Sequence, residues 1–157
     1  MARFSVFDNT TGAIKALLDV PDSAILDQHD PMTEGVWVDS IVDPKTQYIL
    51  IEPDTPTPGS TQYSVISRPT SSAAYSGAAT LDNDGVDTGT ITPIASAAVV
   101  TVLGENAQGN QFVLQTYDPW GADDTFEFTS TIAGDYLVQI VNFPDQDIEF
   151  RIPVRAP

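Results

Sequence analysis

The sequence contains no cysteine and a single histidine, His29. Without cysteine, a disulfide framework, a cysteine-ligated zinc site and a thiol nucleophile are all excluded. A catalytic zinc or a serine triad would have to use that one histidine. The Gly-x-Ser-x-Gly, His-Glu-x-x-His, Gly-x-Gly-x-x-Gly and Gly-Lys-Ser/Thr patterns that accompany such chemistry or cradle phosphates are absent. We therefore expect a protein that is not an enzyme and carries no cofactor.

Cationic side chains are also scarce. The 157 residues include 6 Lys and Arg against 22 Asp and Glu, so the formal net charge is −16. A chain of this charge repels the phosphates of nucleic acid and anionic membrane surfaces, and neither is an expected partner. The longest apolar runs, such as 97–100, are too short to span a bilayer, and residues 1–7 lack the apolar stretch of a signal peptide. We expect synthesis in the cytoplasm and a soluble product.

The sequence does contain many short β-type runs, separated by Pro, Gly, Asn and Asp. An all-β fold is the prediction. In the first half, the predicted strands are 4–8, 13–19, 35–38 and 47–51. Residues 13–18 also fit one or two helical turns. A short helix is predicted over 21–28, because Pro21 and Asp22 suit a helix start.

A change in composition predicts two domains. Residues 52–60 contain three prolines, which favour a stiff extended path. Residues 70–77 are mostly small, and the run 71–74 has little to bury. We predict a small N-terminal β-domain over 1–70, a linker over 71–77 and a C-terminal domain over 78–157.

The C-terminal domain has the pattern of an immunoglobulin-like β-sandwich, with about seven strands and closely spaced turn signals. These strands are predicted at 79–81, 88–91, 98–103, 111–117, 125–132, 134–142 and 147–154. In the last of them apolar residues alternate with polar ones from Ile148 to Val154, and Phe126, Phe128 and Ile132 alternate in the same way. Pro153 predicts an unpaired edge near the end of the last strand.

An acidic turn is the weak candidate for a metal site. Asp82, Asp84 and Asp87 surround Gly85 and offer the hard oxygens that Ca²⁺ prefers. The helix-loop-helix calcium loop has glycine sixth and glutamate twelfth, whereas here glycine is fourth and Pro93 is twelfth. The pattern favours an ordinary tight turn, and we predict no metal.

The single histidine and the remaining carboxylate pairs are predicted to be solvated rather than catalytic. His29 has the carboxylates Asp27, Asp30 and Glu34 nearby in sequence, but no partner set for catalysis. The pairs Asp123–Asp124 and Asp145/Asp147 are of the kind used in glycoside hydrolysis, yet pairs like these arise from composition alone in so acidic a chain.

Aromatic residues are the better candidates for recognition. Tyr117 and Trp120 flank a predicted loop, and such residues anchor protein interfaces and sugars. Trp120 could alternatively fold back over one end of the sandwich. Trp37 lies between two valines and is predicted to be in the core.

Several stretches resemble modules of minor structural proteins of tailed bacteriophages. In the first half these are 12–14, Glu34–Gly35, 43–49 and 65–69, which look like a small N-terminal module of tail-fibre-like proteins. In the second half they are 81–85, 90–91, 99–103, 133–138 and 143–150. There a Gly-x-Tyr strand and an aromatic-Pro turn precede the last strand, which resembles the immunoglobulin-like C-terminal module of the same proteins.

The resemblance implies a virion protein of the tail, a fibre or the head-to-tail region that connects other virion proteins and copies of itself in a ring. The expected contact residues are Tyr117, Trp120, Phe143, Ile148 and Phe150. The alternatives are a β-sandwich module that binds a glycan receptor and a tail-fibre assembly chaperone.

Overall fold

A computed structural model describes residues 2–20, 30–38, 40–53, 61–106, 108–121 and 124–157. Every regular element in these ranges is a β-strand, so the all-β prediction is confirmed. The chain divides into two compact units, Met1–Pro69 and Thr70–Pro157. The helix predicted over 21–28 and most of the proline-rich stretch 52–60 lie outside the described residues.

The first unit contains a three-stranded antiparallel sheet in the order β2-β1-β3 and a two-stranded hairpin of β4 and β5. The strands are β1 (Ala2–Asp8), β2 (Ile14–Val20), β3 (Glu34–Trp37), β4 (Gln47–Pro53) and β5 (Thr61–Ser67). Residues 14–20 are a strand rather than helical turns, because they pair along their whole length with β1.

Strand β1 is buried on both faces, as expected for the middle strand of a covered sheet. Ser5 is fully buried there, and its hydroxyl oxygen accepts a hydrogen bond from the Val42 amide at 3.0 Å. This bond removes the cost of burying a lone hydroxyl. Trp37 packs against the adjacent core cluster, as predicted. The buried members of that cluster are Phe7, Val42 and Ile49.

The turn between β1 and β2 depends on a glycine. Gly12 has φ +77°, and a Cβ at this position would overlap the carbonyl oxygen of Ile49. The close approach lets the Ile49 amide donate to the Gly12 carbonyl at 3.0 Å. Glycine alone combines this conformation with this contact.

Eight strands form the two sheets of the second unit. They are β6 (Ala74–Ser76), β7 (Leu81–Asp82), β8 (Gly89–Thr92), β9 (Val99–Glu105), β10 (Gln111–Tyr117), β11 (Phe126–Phe128), β12 (Gly134–Val141) and β13 (Ile148–Arg155). One sheet has the order β10-β9-β12-β13-β7 and the other has the order β11-β8-β6. The two sheets share one core, to which Ile91 and Phe126 contribute from the smaller sheet and Val100, Val138 and Ile152 from the larger.

The strand order is that of an immunoglobulin-like sandwich. In the usual lettering, the smaller sheet contains A, B and E, and the larger sheet contains C′, C, F and G. Strand β7 continues A and pairs in parallel with the last strand. Within the described residues, no strand lies in the D position beside β11.

A tyrosine joins the two sheets at the turn before β12. The hydroxyl of Tyr136 donates to the Ile132 carbonyl at 2.9 Å and lies 3.0 Å from the Ser130 hydroxyl. Its ring packs on Phe128 of the opposite sheet, with ring centroids 5.0 Å apart. This arrangement is the tyrosine corner of immunoglobulin-like domains.

Three predictions are wrong in detail. The linker over 71–77 is instead part of the second unit, because β6 pairs with β8 and Ala73 is buried in the core. Ile132 does not continue β11; it lies in the turn before β12 and is 70% exposed. The last strand is not an edge beyond Pro153, since Val154 pairs with Leu81 of β7.

Asp8 should make the first unit sensitive to acid. Its carboxylate accepts hydrogen bonds from the Thr11 and Thr10 amides, which lower its pKa from 3.8 to about 2. The pKa of Asp8 is lower in the folded state than in the unfolded state. The ionised carboxylate therefore stabilises the fold at a pH above the unfolded-state pKa, and this stabilisation is lost as the pH falls to the folded-state pKa. Asp8→Asn should therefore be less stable than the wild type at neutral pH, and the difference should disappear between about pH 4 and pH 2.

The measurement is urea unfolding across this pH range, with the Asp8 carboxyl titrated by NMR. Lys15→Met is the matched control, because the hydrogen bond from Lys15 lowers the pKa of Asp8 less than the two amides do. A pKa that returns to 3.8 in Lys15→Met would contradict the assignment to the two amides.

Removing the Tyr136 hydroxyl should weaken the second unit. Tyr136→Phe loses the bond to the Ile132 carbonyl, which should cost about 1 kcal/mol in the free energy of unfolding. The measurement is urea unfolding followed through Trp120 in a Trp37→Phe background. Tyr117→Phe is the control in the same unit, and an equal loss in both variants would show that the corner bond contributes nothing.

Candidate interaction surface

The acidic turn between β7 and β8 is held by its own backbone. Asp84 accepts hydrogen bonds from the Val86 and Asp87 amides at 2.7 and 2.9 Å, and these amides lower its pKa. Asp87 in turn accepts from the Asp82 amide at 3.0 Å. Gly85 has φ +76°, which fits the predicted tight turn. The Asp84 and Asp87 carboxylates therefore serve the turn itself.

Within the described ranges, no group of three or more Asp, Glu or His side chains is placed to hold a metal ion. His29 and Asp123 lie outside those ranges. Asp145 accepts a hydrogen bond from the Asn142 side chain at 3.0 Å and thereby closes the turn before β13. Asp84, Asp87 and Asp145 thus each accept hydrogen bonds within their own turns.

Trp120 and Tyr117 lie together at the end of β10. Their rings meet edge to face with centroids 5.1 Å apart, and both contact the buried ring of Phe126. Trp120 is half-buried and packs on the core, while its amide donates to the Ala98 carbonyl at 2.7 Å. The indole therefore covers one end of the sandwich, which is one of the two alternatives that the sequence left open.

The other predicted contact residues lie on or just before β13, which is separated from β10 by two strands of the same sheet. Ile148 and Phe150 lie on the inward face of β13 and pack against the core. Phe143 lies in the turn before β13 and is 37% exposed. Because β9 and β12 separate β10 from β13, the five predicted residues do not form one surface.

The most exposed apolar strand of the unit is β10, and of its residues only Tyr117 was among the predicted contacts. All seven residues of β10 are exposed, and they include Phe112, Val113 and Leu114. In the described part of the chain β10 pairs with β9 alone. The available signal was the run Gln111–Tyr117, which has no charged residue and no proline in a very acidic chain.

An apolar groove lies beside this strand. It has a volume of about 230 Å³, and Phe112, Leu114, Ile132 and Tyr136 contribute to its walls. Gly104 of β9 makes room for it: a Cβ there would meet the Phe112 ring at 2.7 Å and Leu114 at 3.3 Å. Both side chains therefore rest on the bare backbone of the neighbouring strand.

The register of β10 and β9 contains a β-bulge between Val113 and Gln115. On one side of it Phe112 pairs with Gly104, and on the other Tyr117 pairs with Val100, so both aromatic residues face the opposing sheet. Val113 pairs with Leu103 and faces the other way. Strand β10 is therefore apolar on both faces.

Comparisons with known proteins add little to this geometry. No protein-family model matches the chain, and a search of curated proteins finds no match. Among solved structures, the chain is similar to "Crystal structure of DIP-gamma IG1+IG2", with a TM-score of 0.30 and 12% identity over 98% of this chain and 82% of that chain. No helix of the described residues is long and apolar enough to cross a membrane. The strand order alone defines the class: this is an all-β chain whose second unit is an immunoglobulin-like sandwich.

Replacing Trp120 should destabilise the second unit. Trp120→Ala removes the contacts with Tyr117, Phe126 and the core, and we expect a loss of about 2 kcal/mol, less than the 3–5 kcal/mol typical of fully buried aromatic residues. Thermal unfolding measures this loss. Val86→Ala, at a position 79% exposed, is the control and should change stability little. An unchanged melting temperature in Trp120→Ala would show that the indole is dispensable to the fold.

Proposed function

We propose that this chain is a non-enzymatic structural protein of a tailed-phage particle, in the tail, a fibre or the head-to-tail region. It connects other virion proteins and copies of itself. The observation that carries the connecting role is β10, an edge strand whose apolar residues are exposed on both faces. Soluble monomers seldom expose such surface without a partner.

The phage setting rests on the resemblance of the sequence. The Gly-x-Tyr motif at 134–136 opens β12, and the aromatic-Pro turn at 143–144 precedes β13. The resemblance implies these two motifs in the immunoglobulin-like module of minor phage proteins, and it is this likeness that supports the proposal. Localisation in the virion follows from the same resemblance.

A glycan receptor is the main alternative partner, and the aromatic pair bears on it. A sugar stacks on an open aromatic face, whereas Trp120 packs on the core and meets Tyr117 edge to face. The geometry therefore favours a protein partner over a stacking platform.

The decisive experiment counts this chain in purified particles. We expect mass spectrometry of mature particles to give a small fixed number of copies relative to the major capsid protein, in keeping with ring symmetry. A chain abundant in the lysate but absent from particles would contradict the proposal and favour the assembly chaperone.

A glycan array probed with the wild-type chain distinguishes the connector from a module that binds a glycan receptor. The connector should bind no glycan. Glycan binding that Tyr117→Ala abolishes, in a variant still incorporated into particles, would identify a receptor-binding module instead.

A further inference from the structure

The free edge of β10 exposes backbone hydrogen-bonding groups. Its other edge pairs with β9 from Gln111 to Tyr117, and no strand within the described ranges covers the free side. Natural proteins block such edges with charged residues or proline, because an open edge pairs with other chains. Strand β10 contains neither, and its bulge between Val113 and Gln115 limits pairing at this edge to a short stretch.

The side chains of β10 extend this edge into a surface. Phe112 and Leu114 are each 49% exposed on the groove side, and Val113 is 62% exposed on the opposite side. The groove side is uncovered because the smaller sheet has no described strand in the D position. A strand added to this edge would bury apolar area on both faces.

We infer that β10 is a strand-addition site, which accepts an extended segment of a partner protein. That segment has apolar residues at alternate positions and Lys or Arg at its flanks. Its backbone pairs with the free edge of β10. One row of its side chains fills the groove at Phe112, Leu114 and Ile132, and the other row covers Val113.

The basic flanks follow from charge. Arg151 and Arg155 are the only cationic residues in 70–157, and both are held in ion pairs, with Glu105 at 2.9 Å and Asp135 at 2.6 Å. At the ends of β10, Glu105 opposes the first residue but is already paired with Arg151, and Asp118 follows the last residue. Residues 70–157 contain 12 Asp and Glu against these two arginines, so a segment with basic flanks meets complementary charge on this acidic unit, with Asp118 at one end of β10.

The same charges argue against a second copy as the occupant. Each copy carries a net charge of −16, so the pairing of two β10 edges would bring two strongly acidic surfaces together. Like charges placed together across an interface suppress association. The edge thus selects a basic strand from a different chain.

This inference names the partner class for the proposed connector and rests on that proposed function. The connector and the strand-addition site can be refuted by different results. Absence from particles overturns the connector itself, whereas incorporation that is insensitive to changes in β10 overturns only the strand-addition site.

The test begins with the full chain and a display library of random peptides of strand length. We expect the recovered peptides to alternate apolar residues and to be enriched in Lys and Arg at their ends. Hydrogen exchange should show new protection of β10 amides when a synthetic peptide of the selected sequence is bound. Raising the salt from about 0.1 M to about 1 M should weaken binding, because the Debye length falls from about 10 Å to about 3 Å.

Two matched variants locate the site. Val113→Lys places a charge on the free edge of β10, and Val141→Lys places the same charge on the central strand β12 of the same sheet, where valine is also exposed. Val113→Lys should weaken peptide binding at least about tenfold, or 1.4 kcal/mol, while Val141→Lys should bind as the wild type does. Circular dichroism and melting of both variants show that each remains folded.

The opposite results overturn the inference. Equal binding by wild type and Val113→Lys, recovery of acidic peptides, or protection confined to other strands would each exclude β10 as this site. A wild-type dimer in sedimentation that Val113→Lys converts to a monomer would assign the edge to a second copy. Failure of the library to yield any peptide that protects β10 would overturn it as well.

Discussion

The inward row of β12 is the contact on which the second unit depends. Val138 and Ile140 are buried between the two sheets, and Tyr136 links the same row to the turn that leads from the smaller sheet. Because β12 lies between β9 and β13, it sets the register of both neighbours. Apolar burial supplies the free energy here, and the tyrosine hydroxyl fixes the path of the chain.

The sequence predicted the fold where periodicity is strong. Ile152 and Val154 are buried and Arg151 is exposed, as the alternation of the last strand requires. The boundary between the two units was harder to predict. Residues 71–77 have the composition of a linker, yet Ala73 is buried and β6 pairs with β8, because strand pairing uses backbone groups that composition does not report.

The candidate surface shows the same division. Trp120 and Tyr117 could be recognised as a pair from their spacing, but whether the indole faces solvent or the core depends on Phe126, which belongs to the other sheet. The exposure of β10 depends equally on the smaller sheet and its strand order. An uncharged run with three consecutive apolar residues, Phe112–Leu114, usually predicts a buried strand, and the three-dimensional arrangement reveals that its outer edge is open.

The bulge between Val113 and Gln115 has a consequence for solubility. A fibril grows when identical strands stack in an unbroken register, each presenting to the next the same flat row of amides and carbonyls. The extra residue at the bulge breaks that row and increases the local twist. Strand β10 therefore matches one further strand over a short stretch and does not template an endless sheet. An uncharged edge can thus lie exposed on this unit without offering a continuous template to further copies.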